Sequence, residues 1–453
     1  MVIQRTKMQF VRKGLLPVSV ALTATGSIGI EFLIGGAADP PPKTPTASKL
    51  CRGALMDARI FHPTRLLLAS RALRAFADGF VAVLLPAYLL ALGHGQLEVG
   101  FLGTATLFGS ALATLAIGRW GHRASMRGLL LGAALLMALT GTGFAVLSSF
   151  WPLLLIAFMG PLNPSGGDAS VFLPLEHTVL AAAAPAESRT TIFARYSFFG
   201  SIFGAVGALA AAVPDWLTSA AGLETVDALR AMFVVYAAIG LAVWALYLRL
   251  PRAHVESTGP DAPLGPSRVI VWKLAGLFSV DSFAGGLILN SLLALWLFQS
   301  FGMSLTAAGA FFFWTGLLAA ASQLVAPAVA RRIGLVNTMV FTHIPASLFL
   351  IGAAYASSLE VALALLLARS ALSQMDVPAR SAFVMSVVTP PERPAAASFT
   401  AVPRSLAAAI SPSLTGAMFA AGAMAAPLAA CGVLKIAYDL ALFAAFRRVG
   451  PRG

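Results

Sequence analysis

Apolar residues in this chain do not alternate with polar ones. They run for about twenty positions at a time and are cut by short polar or Gly/Pro-rich turns, the length needed to cross roughly 30 Å of hydrocarbon at about 1.5 Å per helical residue. Read this way, the chain holds twelve candidate spans, beginning near residues 69, 97, 128, 151, 190, 230, 269, 305, 335, 360, 396 and 424. The fourth and tenth spans run long, roughly 151 to 182 and 360 to 388, and are interrupted at "GPLNPSGGDAS" and "SQMDVPARS". Such breaks are tolerated where neighbouring helices or a wet cavity satisfy the freed backbone groups. "PRAHVESTGPDAPLGPSR", Pro251 to Arg268, is the longest polar stretch between spans and reads as a flexible linker. The predicted fold is an all-α membrane protein of twelve transmembrane helices in two six-helix halves: a bundle over 67–250, a linker over 251–268 and a bundle over 269–448.

The first 66 residues follow another pattern. "MVIQRTKMQFVRK" and the apolar run after it resemble a secretory signal, but Glu31 and the Pro-rich "ADPPPKTPTASK" break the run. A cleaved signal, a thirteenth span and an extension preceding a start at Met56 all fit. The last is favoured, as a disordered or mis-started segment, because a cleaved signal would leave the mature N-terminus on the side opposite to the loop charges.

Composition narrows the class. Hydrophobic residues make up 58% and charged residues 11% of the 453 positions, less than half the charged share of soluble proteins. The net charge is +13, and between the spans its basic residues gather in alternate short turns, which argues for lipid and against nucleic acid as the partner. Turns after spans two, four, six, eight and ten carry arginines such as Arg119, Arg123, Arg127, Arg189, Arg249 and Arg332, while the others, such as "GHGQL", "FGMSL" and "AGAMA", carry none. This asymmetry places both ends of the bundle in the cytoplasm. Cys51 and Cys431 are too far apart in sequence to suggest a disulfide framework or zinc site. Dispersed histidines and the lack of a Walker loop or nucleophile elbow point away from an enzyme, a metal site or a cofactor.

Two segments look alike. "FLPLEHTVLAAAAPAESR" from Phe172 matches "DVPARSAFVMSVVTPPER" from Asp376, aligning Pro174 with Pro378, Glu176 with Arg380 and Glu187 with Glu392. Asp78 and Asp281 stand 203 residues apart, and Arg123 and Arg332 stand 209 apart. A near-constant offset means two halves in the same order, enclosing a central cavity. "GRWGHRASMR", from Gly118, is similar to the loop motif G-x-x-x-D-R-x-G-R-R of the major facilitator superfamily. Gly118, Arg123 and Arg127 match, while His122 replaces the aspartate and Ser125 the second glycine. A second copy, "PAVARRIGLV", keeps Arg332 and Gly334. The resemblance implies a monomeric secondary transporter of the bacterial inner membrane, moving a small solute by alternating access. It also implies a latch in this loop on the cytoplasmic side, which His122 would make weaker or pH-dependent.

Ionisable residues inside spans mark function or pairing. Asp78 and Asp281 lie about ten residues into their spans, roughly 15 Å deep, and are candidates for proton coupling or solute contact, or else partners of Arg74 or Lys273. In the resemblance the fourth and tenth spans line the cavity, which adds Asn163, Asp168, Arg369 and Asp376. The cytoplasmic gate is assigned Gly118, His122, Arg123, Arg127, Glu176, Arg195, Arg332, Arg380 and Arg404, with Glu176 and Arg380 expected to bridge the halves. Lys435 and Asp439, four apart, are expected to neutralise each other, and Gly200, Gly204 and Gly207 to admit close helix approach. "ADGFVAVLLP", from Ala77, resembles an exporter element, so proton-coupled export of drug-like or metabolite compounds is the leading expectation. Arg369, Arg195 and Arg404 favour uptake of an organic anion as the alternative, and a uniporter is the simplest third reading.

Overall fold

The computed structural model describes residues 18–22, 28–32, 47–120, 124–165, 170–183, 189–251, 265–389 and 392–447. The chain divides into two units, Met1–Asp57 and Ala58–Gly453. In the first, β1 (Val18–Leu22) pairs antiparallel with β2 (Ile28–Phe32), from Val18 opposite Phe32 to Leu22 opposite Ile28. α1 (Ala47–Ala91) begins within the residues read as an extension, and its segment Pro63–Ala91 is apolar and long enough to cross a bilayer.

Ten stretches among the described residues meet that length and composition. Five helices cross unbroken: α2 (Gln96–Trp120), α3 (Met126–Val146), α8 (Thr225–Tyr247), α11 (Leu305–Ile333) and α12 (Leu335–Ala354). α16 (Ala426–Phe446) does the same at the end of the chain. The fourth span is two shorter apolar helices, α4 (Phe150–Met159) and α5 (Phe172–Ala183), separated where Pro161 and Pro164 deny helical hydrogen bonds. The tenth divides likewise into α13 (Leu359–Leu372) and α14 (Asp376–Val387). α6 (Arg189–Leu209) tightens through a 3₁₀ turn into α7 (Val213–Ala221), where Pro214 opens the new helix. α15 (Arg393–Ala420) is long but carries Arg404, Pro403 and Pro412 and is less apolar.

The seventh span holds a break that the hydropathy pattern hides: α9 (Arg268–Gly286) stops and α10 (Asn290–Phe301) restarts after Leu289. The Ser291 N–H, freed by that break, donates to the Pro164 carbonyl, freed by the break in the fourth span, at 3.2 Å. Each interruption thus satisfies the other, as hydrocarbon demands.

Local chemistry sets the ends. Ser125, Ser304 and Ser358 accept hydrogen bonds from Gly128, Ala307 and Val361 and start α3, α11 and α13. α1, α9 and α10 run through the interior, burying Phe80, Tyr88, Phe278 and Trp296. Outward, large apolar residues such as Val146, Leu324 and Val269 stay exposed, which suits contact with lipid tails. Exposed Trp120 and Trp272 sit at arginine-rich helix ends, and Trp151, Trp216 and Tyr355 at the charge-poor ends, forming two interfacial girdles.

At the arginine-rich face Glu392 knots two elements together. Its carboxylate accepts from the Gly265 amide and from the Thr389 hydroxyl, while the Ser267 hydroxyl accepts from the Thr389 amide. Hydrogen bonds from Ser267 and Thr389 hold the Glu392 carboxyl down to about 2, against an ordinary value near 4.3. A depressed folded value stabilises the protein above the unfolded value, and that stabilisation is lost as pH falls through about 2. Glu392→Gln should therefore lower the melting temperature of the detergent-solubilised protein at pH 7. The gap from wild type should narrow progressively as the pH is taken from about 5 towards 2.

Candidate functional site

Two buried charge clusters flank a central chamber. In the first half, Glu176 of α5 is fully buried and accepts from Arg74 of α1, from the Tyr196 hydroxyl of α6 and, at 2.6 Å, from the Tyr247 hydroxyl of α8. The Arg74 guanidinium also lies 4.1 Å from the centre of the Phe172 ring. Four helices meet on one carboxylate.

In the second half, Asp281 of α9 accepts from Lys435 of α16 at 2.6 Å and pairs with Arg380 of α14 at 3.1 Å. Arg380 also binds Asp376 one turn earlier and lies 5.3 Å from the Phe278 ring centre. Lys435 continues to His343 Nε2 of α12 at 3.4 Å, and His343 Nδ1 meets the Asp439 carboxylate of α16 at 3.0 Å. Arg404 of α15 donates from Nε to the Ser282 hydroxyl at 3.2 Å beside this cluster.

These pairings correct two expectations. Glu176 and Arg380 do not bridge the halves; each is neutralised inside its own, because a neighbouring helix offers an opposite charge at contact distance. Lys435 and Asp439 do not neutralise each other; they turn to Asp281 and His343. Sequence reasoning did not single out His343. Its signal was an imidazole in the middle of an apolar span, a place where an ionisable group needs a reason.

Between the clusters lies a cavity of about 380 Å³, walled by α1, α6, α10, α11, α13 and α14 together with Ser165. Asp78, Arg71 and Arg369 supply its charged wall, and neutral polar groups such as Asn290, Thr315 and Gln374 line the rest. Gly200 makes room for Arg71: a Cβ there would lie 2.4 Å from the guanidinium. Gly207 lets α6 press on α1, since its Cβ would meet the Phe76 carbonyl at 2.0 Å. Asp281 is absent from this wall, so the two aspartates expected to act alike occupy different settings. Asn163 is buried and accepts from the Ser165 amide and hydroxyl, which shapes the break rather than the chamber surface. Asp376 is buried on Arg380. Asp168, His122 and Arg123 lie outside the described residues.

Contacts between the halves gather at the charge-poor ends. Gln96 donates to Gln299 at 2.7 Å, and the Asp215 carboxylate of α7 accepts from the Thr306 amide and hydroxyl of α11 at 3.0 and 2.7 Å. The Ser413 amide donates to the Thr104 hydroxyl at 3.0 Å. Here α2 and α15 cross with backbones touching: a Cβ on Gly416 would lie 2.7 Å from the Gln96 carbonyl and 2.9 Å from Gly100 Cα. The chamber is sealed at this face. At the other face Arg195 and Arg332 are exposed, Arg127 donates to the Leu248 carbonyl of its own half, and Gly118 has open space around it. No packing need explains that glycine.

A sequence profile described as the Major Facilitator Superfamily matches residues 67–368. The chain belongs to this superfamily. Its sequence is 25% identical over 392 residues to YJR124C, an uncharacterized membrane protein of Saccharomyces cerevisiae, covering 78% of this chain and 87% of that one. Among solved structures it is similar to a bacterial homologue of the human lysosomal transporter Spinster, inward-facing and occupied, with a TM-score of 0.68 and 17% identity over 85% of this chain and 96% of that one. The nucleoside transporter NupG aligns with a TM-score of 0.65 and 15% identity, over 85% and 99% of the respective chains. The human organic anion transporter MFSD10 aligns with a TM-score of 0.56 and 17% identity, over 84% and 99%. Two helical halves around a polar chamber are thus the superfamily's architecture in this chain.

Removing one member of a buried pair strands the other, at a cost of about 3–5 kcal/mol. Glu176→Gln should destabilise this superfamily member by that order in denaturant unfolding, and Arg74→Met with Glu176→Leu by clearly less. Loss of the Asp215 latch should loosen the sealed face. In a background without Cys51 and Cys431, Asp215→Ala should raise labelling of Ala319→Cys by an impermeant maleimide added from the charge-poor side.

Proposed function

We propose that this chain is a secondary transporter that exports a small metabolite or drug-like solute in exchange for protons, by alternating access of the chamber between its halves. The observation that supports this best is Asp78: a carboxylate on the chamber wall, on the same membrane-spanning helix as Arg71 and Arg74, where solute and proton can compete for one charge. With the bundle ends in the cytoplasm, as the positive-inside pattern supports, the sealed face is the outer one and the chamber faces inward.

Arg369 favours a second reading. It lines the chamber and, among the described residues, carries no ion pair, leaving a forked donor that suits a carboxylate or phosphate. Under this reading the solute is an organic anion, taken up with a proton. MFSD10, named as an organic anion transporter, shares this fold.

The test is flux in proteoliposomes under an imposed pH gradient across a panel of anionic, neutral and cationic compounds. Gradient-driven flux should vanish in Asp78→Asn while solute exchange at equal pH persists. For an anionic solute, Arg369→Ala should raise KM about tenfold or more. Flux indifferent to the gradient would make the protein a uniporter and overturn the coupling.

A further inference from the structure

The Lys435–His343–Asp439 chain has a direction set by its donors. An ammonium group carries hydrogens and has no lone pair to accept with. Nε2 of His343, facing Lys435 Nζ at 3.4 Å, is therefore the accepting nitrogen, and the ring hydrogen sits on Nδ1, donated to Asp439 at 3.0 Å. On this assignment of donors the ring carries its one hydrogen on Nδ1 and leaves Nε2 open as an acceptor. A proton added to Nε2 would aim an N–H at an ammonium, two like charges without an acceptor between them, while the new imidazolium would grip Asp439 more firmly. Lys435 would then have to leave His343 and keep only Asp281.

We propose that His343, backed by Asp439, is a proton-binding site of this transporter, and that its occupancy decides whether Lys435 ties α12 to α9 or holds α9 alone. This rests on the proton-coupled reading above and replaces Asp281 as the carrier in the second half, since that carboxylate is already committed to Lys435 and Arg380. The site lies apart from the solute chamber, so proton and solute do not compete for it.

Charged groups around His343 are accounted for helix by helix. α16 presents Lys435, Asp439 and the Tyr438 ring, whose centre is 6.3 Å from the imidazole. α9 presents Asp281 through Lys435, and α14 adds Asp376 and Arg380 beyond it. α15 holds Arg404 on Ser282. α13 carries Glu360 in its first turn and Arg369 on the chamber wall, and α11 carries Arg331 and Arg332 in its last turn. The imidazole is 4% exposed and Asp439 fully buried, so few waters compete for the proton.

Nitrogen-15 NMR of the full chain, labelled at histidine and held in lipid nanodiscs between pH 5 and 9, reads this site without a known solute. His343→Gln assigns the resonance. At pH 9 the ring should be neutral with its hydrogen on Nδ1, and it should become imidazolium within the range. Lys435→Met should move that transition up by about one pH unit or more, and Asp439→Asn should move it down by as much. Tyr438→Phe, which removes only a hydroxyl, should leave it in place. A ring hydrogen on Nε2, a ring that stays neutral to pH 5, or a transition indifferent to Lys435 would overturn the assignment. Flux separates the two readings. If wild-type flux ignores the pH gradient, the coupled reading falls; if it follows the gradient equally in His343→Gln, this site falls and the coupled reading stands.

Discussion

Each half of the bundle neutralises its own buried charge, and the rest of the architecture depends on that closure. An ion taken out of water carries a penalty of several kcal/mol that only a well-placed partner offsets. Arg74 and Glu176 meet this demand between the first and fourth spans, and Asp281 and Arg380 meet it between the seventh and tenth. The polarity is inverted: the first span contributes the cation Arg74 to one pair, and the seventh span contributes the anion Asp281, which the repeat aligns with Asp78, to the other. The two halves share a geometry without sharing a charge pattern.

Because the ions are settled within the halves, the seam between them can be made of weaker material. Gln96 with Gln299, Ser413 with Thr104, and glycine backbones at Gly100 and Gly416 hold it together. Neutral amide and hydroxyl contacts are worth about 0.5–1.5 kcal/mol each in net terms, far less than an uncompensated buried ion. Separating such a seam leaves groups that water can satisfy at once. Asp215, the carboxylate in the seam, sits in exposed contacts at the rim, where rehydration is cheap. Rigid halves and a readily broken seam are the mechanical requirements of alternating access.

Much of this was legible in the sequence and some was not, for reasons that particular residues show. Span positions followed from length and hydropathy, and the breaks in spans four and ten from Pro161, Pro164 and the polar run at Met375. The break before Asn290 leaves no mark in the hydropathy because its flanks are apolar; a partner in the fourth span, the Pro164 carbonyl, is what permits it. The internal repeat aligns Glu176 with Arg380 but says nothing of their partners, since equivalence along a chain is not proximity in space. Spacing on one helix face likewise suggested that Lys435 and Asp439 meet, whereas His343 and Asp281 on neighbouring helices offer shorter contacts. Depth in the span points to Asp78 and the family resemblance of the tenth span to Arg369, and both line the chamber.

The inverted polarity also separates the halves by what their ionic cores can do. Glu176 is held by a guanidinium and two phenolic hydroxyls, three donors from three other helices that close on one carboxylate. The second half replaces this set with a lysine and a histidine arranged in series, of which the imidazole alone changes charge near neutrality without perturbation. The placement of Lys435 between an acceptor that can be filled and a carboxylate that cannot easily be abandoned gives the second half a bistable element, on α9, α12 and α16, which pack behind the helices that wall the chamber.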